Sequence, residues 1–250
     1  MKHRLFVANW KMNKPFALAL DFCTNHKENL KTLSTKPHTE IVICPSFEAL
    51  FSIAEIFADT MISVGAQTCS THERGAYTGQ VNAQSIKEVG CDYCIIGHSE
   101  QRQFMCVSNE DVAHQATWLL EADIEPIICI GETKKEFDDG TSIAVLEQQL
   151  IPILSEISSH HQPFTIAYEP VWAIGTGIIP EKSYLASIFT WLAATLTMKV
   201  RHHNWRLIYG GSVDPDTVGS LMAIKTIHGF LIGNASLDFQ KFEKIVSWKQ

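Results

Sequence analysis

Three polar residues each follow a short apolar run and carry side chains that could do chemistry together: Lys11, His98 and Glu169. A carboxylate can remove a proton from the carbon next to a carbonyl. The enediolate oxygen that develops then needs a hydrogen-bond donor, which an imidazole supplies, and nearby positive charge, which a lysine supplies. Gly210-Gly211-Ser212 and Gly233-Asn234 also follow apolar runs. Small residues there let backbone N–H groups come close to an anion. A small phosphorylated carbonyl compound suits both halves of this set. Taken singly, each residue has a plainer reading: Glu169 as a solvated carboxylate, His98 as a structural hydrogen-bonding residue, Lys11 as a surface charge, Gly210-Gly211 as a turn. The signal lies in their convergence, which depends on the elements that carry them.

Eight short apolar runs divide the chain: Leu5–Ala8, Ile41–Cys44, Met61–Val64, Tyr93–Ile96, Ile127–Ile130, Phe164–Ala167, Leu207–Tyr209 and Phe230–Ile232. They are near-continuously apolar rather than alternating, as strands buried on both faces are. Between them lie stretches of helical period. One stripe is Phe16, Leu20, Cys23, Leu30 and Leu33; another is Val112, Ala116, Leu119 and Leu120; the clearest is Ile143, Leu146, Leu150, Ile153, Leu154 and Ile157. Strand and helix alternate throughout, which predicts an α/β fold of parallel βα units. Eight units in 250 residues fit a closed, eight-stranded parallel (β/α)8 barrel, which takes about 250 residues, as a single domain over 1–250. Such a barrel gathers the C-terminal strand ends on one rim. Asn9 and Lys11, Gly97-His98-Ser99-Glu100, Glu169-Pro170 and the two glycine-bearing loops would then face one mouth.

Composition narrows the function. A formal net charge of −7 argues against a nucleic-acid partner held by phosphate neutralisation. The 46% apolar content supports a sizeable core. No apolar run approaches a membrane span, and the run after Lys2-His3-Arg4 is too short for a signal-peptide core. The seven cysteines are odd in number and several sit inside apolar runs, so they read as reduced, packed thiols of a cytoplasmic protein. Cys91-x-x-Cys94 has redox or zinc spacing but no second ligand pair, so no metal site is expected. His160-His161 and His202-His203 are expected in exposed connections. No phosphate-loop, dinucleotide-loop or serine-elbow string is present.

The chain resembles the triosephosphate isomerase family over essentially its whole length. The likeness rests on Ala8-Asn9-Trp10-Lys11-Met12-Asn13, Ile96-Gly97-His98-Ser99-Glu100, Cys129-Ile130-Gly131-Glu132, the eleven residues from Ala167 to Gly177, and Tyr209-Gly210-Gly211-Ser212-Val213. The resemblance implies a TIM barrel and cofactor-free interconversion of dihydroxyacetone phosphate and D-glyceraldehyde 3-phosphate. It implies Glu169 as base, His98 as neutral electrophile and Lys11 as the group that neutralises oxyanion charge. Asn9 would bind substrate oxygens and Glu100 would support the site. Gly175, Ser212, Gly233 and Asn234 would offer N–H groups to the phosphate. It also implies a homodimer, with the loop from Gln67 to Gln80, including Gly75 to Gly79, reaching into the partner.

Departures from the family pattern are as specific. Only Ile178 and Ile179 separate Gly177 from Pro180, where the family has about four residues. In an ungapped register Pro180 falls where the family offers an N–H to the tyrosine matching Tyr209. Either the register shifts or that hydrogen bond is absent. Asn234 replaces a glycine. Gln80 and Gln101 replace a glutamate and an arginine that can pair across the dimer interface, and His228 replaces an aspartate whose arginine partner is also missing. Two other readings stay open: a barrel that binds without turnover, and another sugar-phosphate isomerase or aldolase on the same fold. A Schiff-base aldolase would need a lysine inside a strand, and none of the eight runs has one.

Overall fold

The computed structural model describes residues 3–248. Eight parallel strands close into a barrel in sequence order: β1 (Arg4–Asn9), β2 (Thr39–Cys44), β3 (Ile62–Ala66), β4 (Tyr93–Ile96), β5 (Glu125–Ile130), β6 (Phe164–Tyr168), β7 (Trp205–Tyr209) and β8 (Gly229–Ile232). β1 closes the barrel by pairing with both β2 and β8, Phe6 standing opposite Ile41 on one side and Phe230 on the other.

The unbroken apolar runs have a direct cause, since each strand is buried on both faces. Leu5, Val7, Val42, Ile95, Ile127, Cys129, Ile208 and Leu231 belong to a cluster filling the barrel. Their strand neighbours, such as Phe6, Ile41, Ile96, Ile128 and Leu207, belong to a larger cluster between the strands and the helices. Both stripes in helices Asn109–Glu121 and Ser142–Ile157 are buried, except for Ile143. In helix Phe16–Ser34 the buried stripe turns toward Ala19 and Phe22, and Phe16 is exposed. The third strand begins one residue late, at Ile62, and Met61 faces solvent.

Toward the strands' N-terminal ends, the same inward phase carries polar groups. The Arg206 guanidinium pairs with both oxygens of Glu125, at 2.8 Å each, and with Glu40. Tyr93 donates to Glu40, and Thr165 to Glu125 at 2.5 Å. Six cysteines are buried free thiols and Cys106 is exposed. Among the described residues, no helix is long and apolar enough to cross a membrane, and no group of three or more His, Cys, Asp or Glu is arranged to hold a metal ion. His161 and His203 are exposed as expected, but His160 and His202 are half-buried. The His202 ring meets Phe164, and its Nδ1 accepts the Asn204 N–H. His228 accepts the Leu207 N–H on Nδ1 at 3.0 Å, a role that needs no arginine.

Candidate active site

The inward phase also builds the opposite rim. Continuing Leu5 and Val7 by two leads to Asn9; continuing Thr165 and Ala167 leads to Glu169. A cavity of about 800 Å³ opens there, lined by Asn9, Lys11, His98, Glu169, Gly175, Ser212, Gly233 and Asn234. All eight residues expected from the sequence therefore share one pocket. Leu231, Asp214, Lys241 and Lys244 also line it; Leu231 was read only as a strand residue, and nothing in the sequence marked the other three.

Glu169 Oε1 lies 3.3 Å from His98 Nε2, and both side chains are almost wholly buried. His98 precedes the short helix Ser99–Phe104, and its Nδ1 accepts the Glu100 N–H at 3.2 Å. That bond requires a lone pair on Nδ1, so the ring carries its proton on Nε2, toward Glu169. Burial works to lower the His98 pKa, but the adjacent Glu169 carboxylate outweighs it and raises it. Burial works to raise the Glu169 pKa, yet His98, with a smaller contribution from Lys11, holds it below the ordinary glutamate value. Glu169 Oε2 is buried and has no hydrogen-bond partner among the described residues.

Lys11 is placed by its backbone. Its φ of 51° is unusual for a residue with a side chain. The turn is held by the Lys11 N–H donating to Asn9 Oδ1 at 3.1 Å and by Gln67 Nε2 donating to the Lys11 carbonyl at 2.9 Å. The ammonium group then pairs with Glu100 at 2.6 Å, so Glu100 touches both Lys11 and His98. Close packing holds the glutamate: a Cβ on Gly131 would sit 1.8 Å from the Glu169 carbonyl, and one on Gly210 would sit 2.7 Å from its Cγ. Neither glycine could carry a side chain without displacing Glu169.

Across the cavity, Ser212 Oγ donates to the Ala173 carbonyl at 2.7 Å and accepts the Gly177 N–H at 3.2 Å. The segment Pro170–Pro180 is thus fastened over the pocket at both of those points. Gly233 and Asn234 open the short 3-10 turn Asn234–Leu237, whose first N–H groups have no acceptor within the turn. Asn234 has no positive φ, so the loss of glycine there brings no backbone strain. At the segment's far end Pro180 is buried, and helix Lys182–Lys199 begins two residues later. Tyr209 Oη is buried without a hydrogen-bond partner among the described residues. Of the two alternatives at this hinge, the hydrogen bond is the one that is absent.

Glu132, quoted in a motif but given no role from sequence, is fully buried beneath the same segment. It accepts hydrogen bonds from Tyr168, Trp172 and Tyr184. Gln67, which fixes Lys11, was likewise assigned only to the dimer loop. Neither role has a local signature, because each partner lies dozens of positions away.

The family model described as Triosephosphate isomerase matches residues 4–249. The chain is 37% identical to the triosephosphate isomerase of Aquifex aeolicus over 97% of its own length and 98% of that protein's. It is 36% identical to that of Endomicrobium trichonymphae over the full length of both. Among solved structures it is similar to the triosephosphate isomerase of Bartonella henselae, with a TM-score of 0.85, 28% identity and 97% of each chain covered.

Proposed function

Because the chain belongs to the triosephosphate isomerase family and is an isomerase, we propose that it interconverts dihydroxyacetone phosphate and D-glyceraldehyde 3-phosphate without a cofactor, through an enediolate. The observation that carries this reading is the buried Glu169 carboxylate facing His98 Nε2 at 3.3 Å, in a pocket that also holds Lys11. Glu169 takes a proton from the carbon beside the carbonyl, and its depressed pKa keeps it ionised for that step. The negative charge passes to the carbonyl oxygen. There the His98 Nε2–H donates a hydrogen bond and Lys11 contributes positive charge. The hydroxyl proton on the neighbouring carbon's oxygen passes to the former carbonyl oxygen, with the His98 imidazole placed to relay it, and protonated Glu169 returns its proton to that neighbouring carbon, so nothing is gained or lost overall.

Asn9 binds substrate oxygens. Gly175, Ser212, Gly233 and Asn234 give the phosphate its N–H donors, while Glu100 holds Lys11 and His98 in place. Closure of Pro170–Pro180 excludes water, which matters because an exposed enediolate would eliminate its phosphate. Turnover of D-glyceraldehyde 3-phosphate tests the reading. A fast wild type that loses about 100-fold or more in Glu169→Gln supports it. A wild type as slow as that variant leaves a barrel that only binds.

The working form in this reading is a cytoplasmic homodimer built from a single barrel domain. Met12 is 94% exposed, and Tyr77, Phe104 and Met105 are also exposed, all on the segments that follow β1, β3 and β4, with Phe104 ending the short helix Ser99–Phe104. Apolar groups gathered on neighbouring loops favour a protein partner. His72 stacks on Tyr77 with ring centroids 3.7 Å apart and stiffens the loop around Gly75–Gly79. Gln80 and Gln101 are neutral, so association should change little with salt. Sedimentation at micromolar concentration, in low and high salt, should give a dimer in both; a monomer counts against the interface.

A further inference from the structure

Glu132 Oε1 is reached from both ends of the segment that covers the pocket. From the entry side, Trp172 Nε1 donates at 2.9 Å, and the Val171 N–H donates to the Glu132 carbonyl at 3.0 Å. From the exit side comes Tyr184, in the first turn of helix Lys182–Lys199, with its Oη 3.1 Å from the same oxygen. Tyr184 Oη also lies 3.0 Å from Ser142 Oγ. A phenol has one proton, so a consistent set has Tyr184 donating to Glu132 and Ser142 donating to Tyr184. The Phe137 ring fills the space between, 4.5 Å from the Trp172 ring and 5.1 Å from that of Tyr184. The exit hinge has little else of this kind: Pro180 has no N–H to give, and Tyr209 Oη has no partner among the described residues.

We infer that Tyr184 is a positioning residue that ties the exit hinge of the Pro170–Pro180 lid to its entry hinge through Glu132, and so keeps the lid shut over the reacting intermediate. This inference rests on the proposed isomerase reading for its chemistry. Tyr184 does not line the pocket. It acts through Trp172, which lies three residues after Glu169, so the clamp also bears on the base.

Tyr184→Phe keeps the ring against Phe137 and removes only the hydroxyl. The expected result is a several-fold rise in the share of turnovers that release inorganic phosphate. Affinity for a planar phosphorylated hydroxamate that mimics the enediolate should fall about five-fold, as loss of one hydrogen bond implies. Affinity for inorganic phosphate, which needs no closed lid, should be unchanged. Ser142→Ala should shift both readouts the same way by less, and it serves alone if the phenylalanine variant does not fold. Combining Tyr184→Phe with Trp172→Phe should do no more than the larger single change, because both cut the same tie.

Unchanged phosphate release and unchanged hydroxamate affinity would overturn the inference. A parallel loss of hydroxamate and phosphate affinity would also overturn it, since that marks general damage to the pocket. Hydroxamate affinity is read by direct titration. A wild type without turnover would therefore remove the isomerase reading while the clamp still stood or fell on the affinity difference.

Discussion

Lys11 adopts a left-handed backbone that costs free energy, and it is held there by Asn9 and Gln67. The strain keeps the ammonium group near the His98–Glu169 pair. At that pair the pKa directions make a test. His98 lowers the Glu169 pKa against the effect of burial, so the base stays ionised below the pH at which an ordinary glutamate, near about 4.3, takes up a proton. With substrate counted only as its dianion and the titration of His98 counted separately, the part of the acid limb of kcat/KM that belongs to Glu169 should lie below that value. His98→Gln removes the main lowering influence and leaves burial dominant, so the residual activity should show its acid limb at higher pH. A limb that stays put would mean that His98 does not set the charge of the base. The sign carries over to stability. A depressed carboxyl favours the folded state above its unfolded pKa, and that contribution is lost as pH falls through the folded value.

The proposed lid, Pro170–Pro180, runs through a proline into the helix that follows it. Pro180 has no N–H to offer at this hinge, helix Lys182–Lys199 begins two residues later, and the Tyr209 hydroxyl is buried without a hydrogen-bond partner among the described residues. A buried hydroxyl without a partner is destabilising by about 1–3 kcal/mol. Tyr209→Phe should therefore leave Tm unchanged or raise it, with kcat/KM altered less than about two-fold. A clear loss of activity would show that the hydroxyl finds a partner during turnover. The strands and the helices Phe16–Ser34, Asn109–Glu121 and Ser142–Ile157 were legible from sequence, because burial on both faces leaves unbroken apolar runs and burial on one face leaves a 3.6-residue stripe; helix Lys182–Lys199 was not among them. The Phe16 end of the first stripe lies at the surface instead. Periodicity fixes a helix's apolar side to within about a residue, and Ala19 and Phe22 took the inward positions.

Across the whole barrel, charge is divided between the two ends. The rim at the C-terminal strand ends holds Lys11, His98 and Glu169, while the far end holds Arg206 between Glu40 and Glu125. Arg206→Leu would leave two largely buried carboxylates facing each other. Removing one partner of a buried ion pair is destabilising by about 3–5 kcal/mol. Denaturant unfolding should show a loss of that order, with kcat nearly unchanged in the fraction that stays folded. A loss below about 1 kcal/mol would mean that solvent already screens the cluster. By itself the sequence determined the alternation of strand and helix, the strands to within one or two residues, the motifs that follow them, and through those motifs the family. These are properties of neighbouring residues, written in local periodicity and local motifs. Only the tertiary structure decided the proton position on His98, the shared anchor at Glu132, the lack of a partner for Tyr209 Oη among the described residues, and the Arg206 cluster. Arg206 and Glu40 lie 166 positions apart. Periodicity reports which face of an element is buried, but what stands opposite that face is fixed only when the eight strands close.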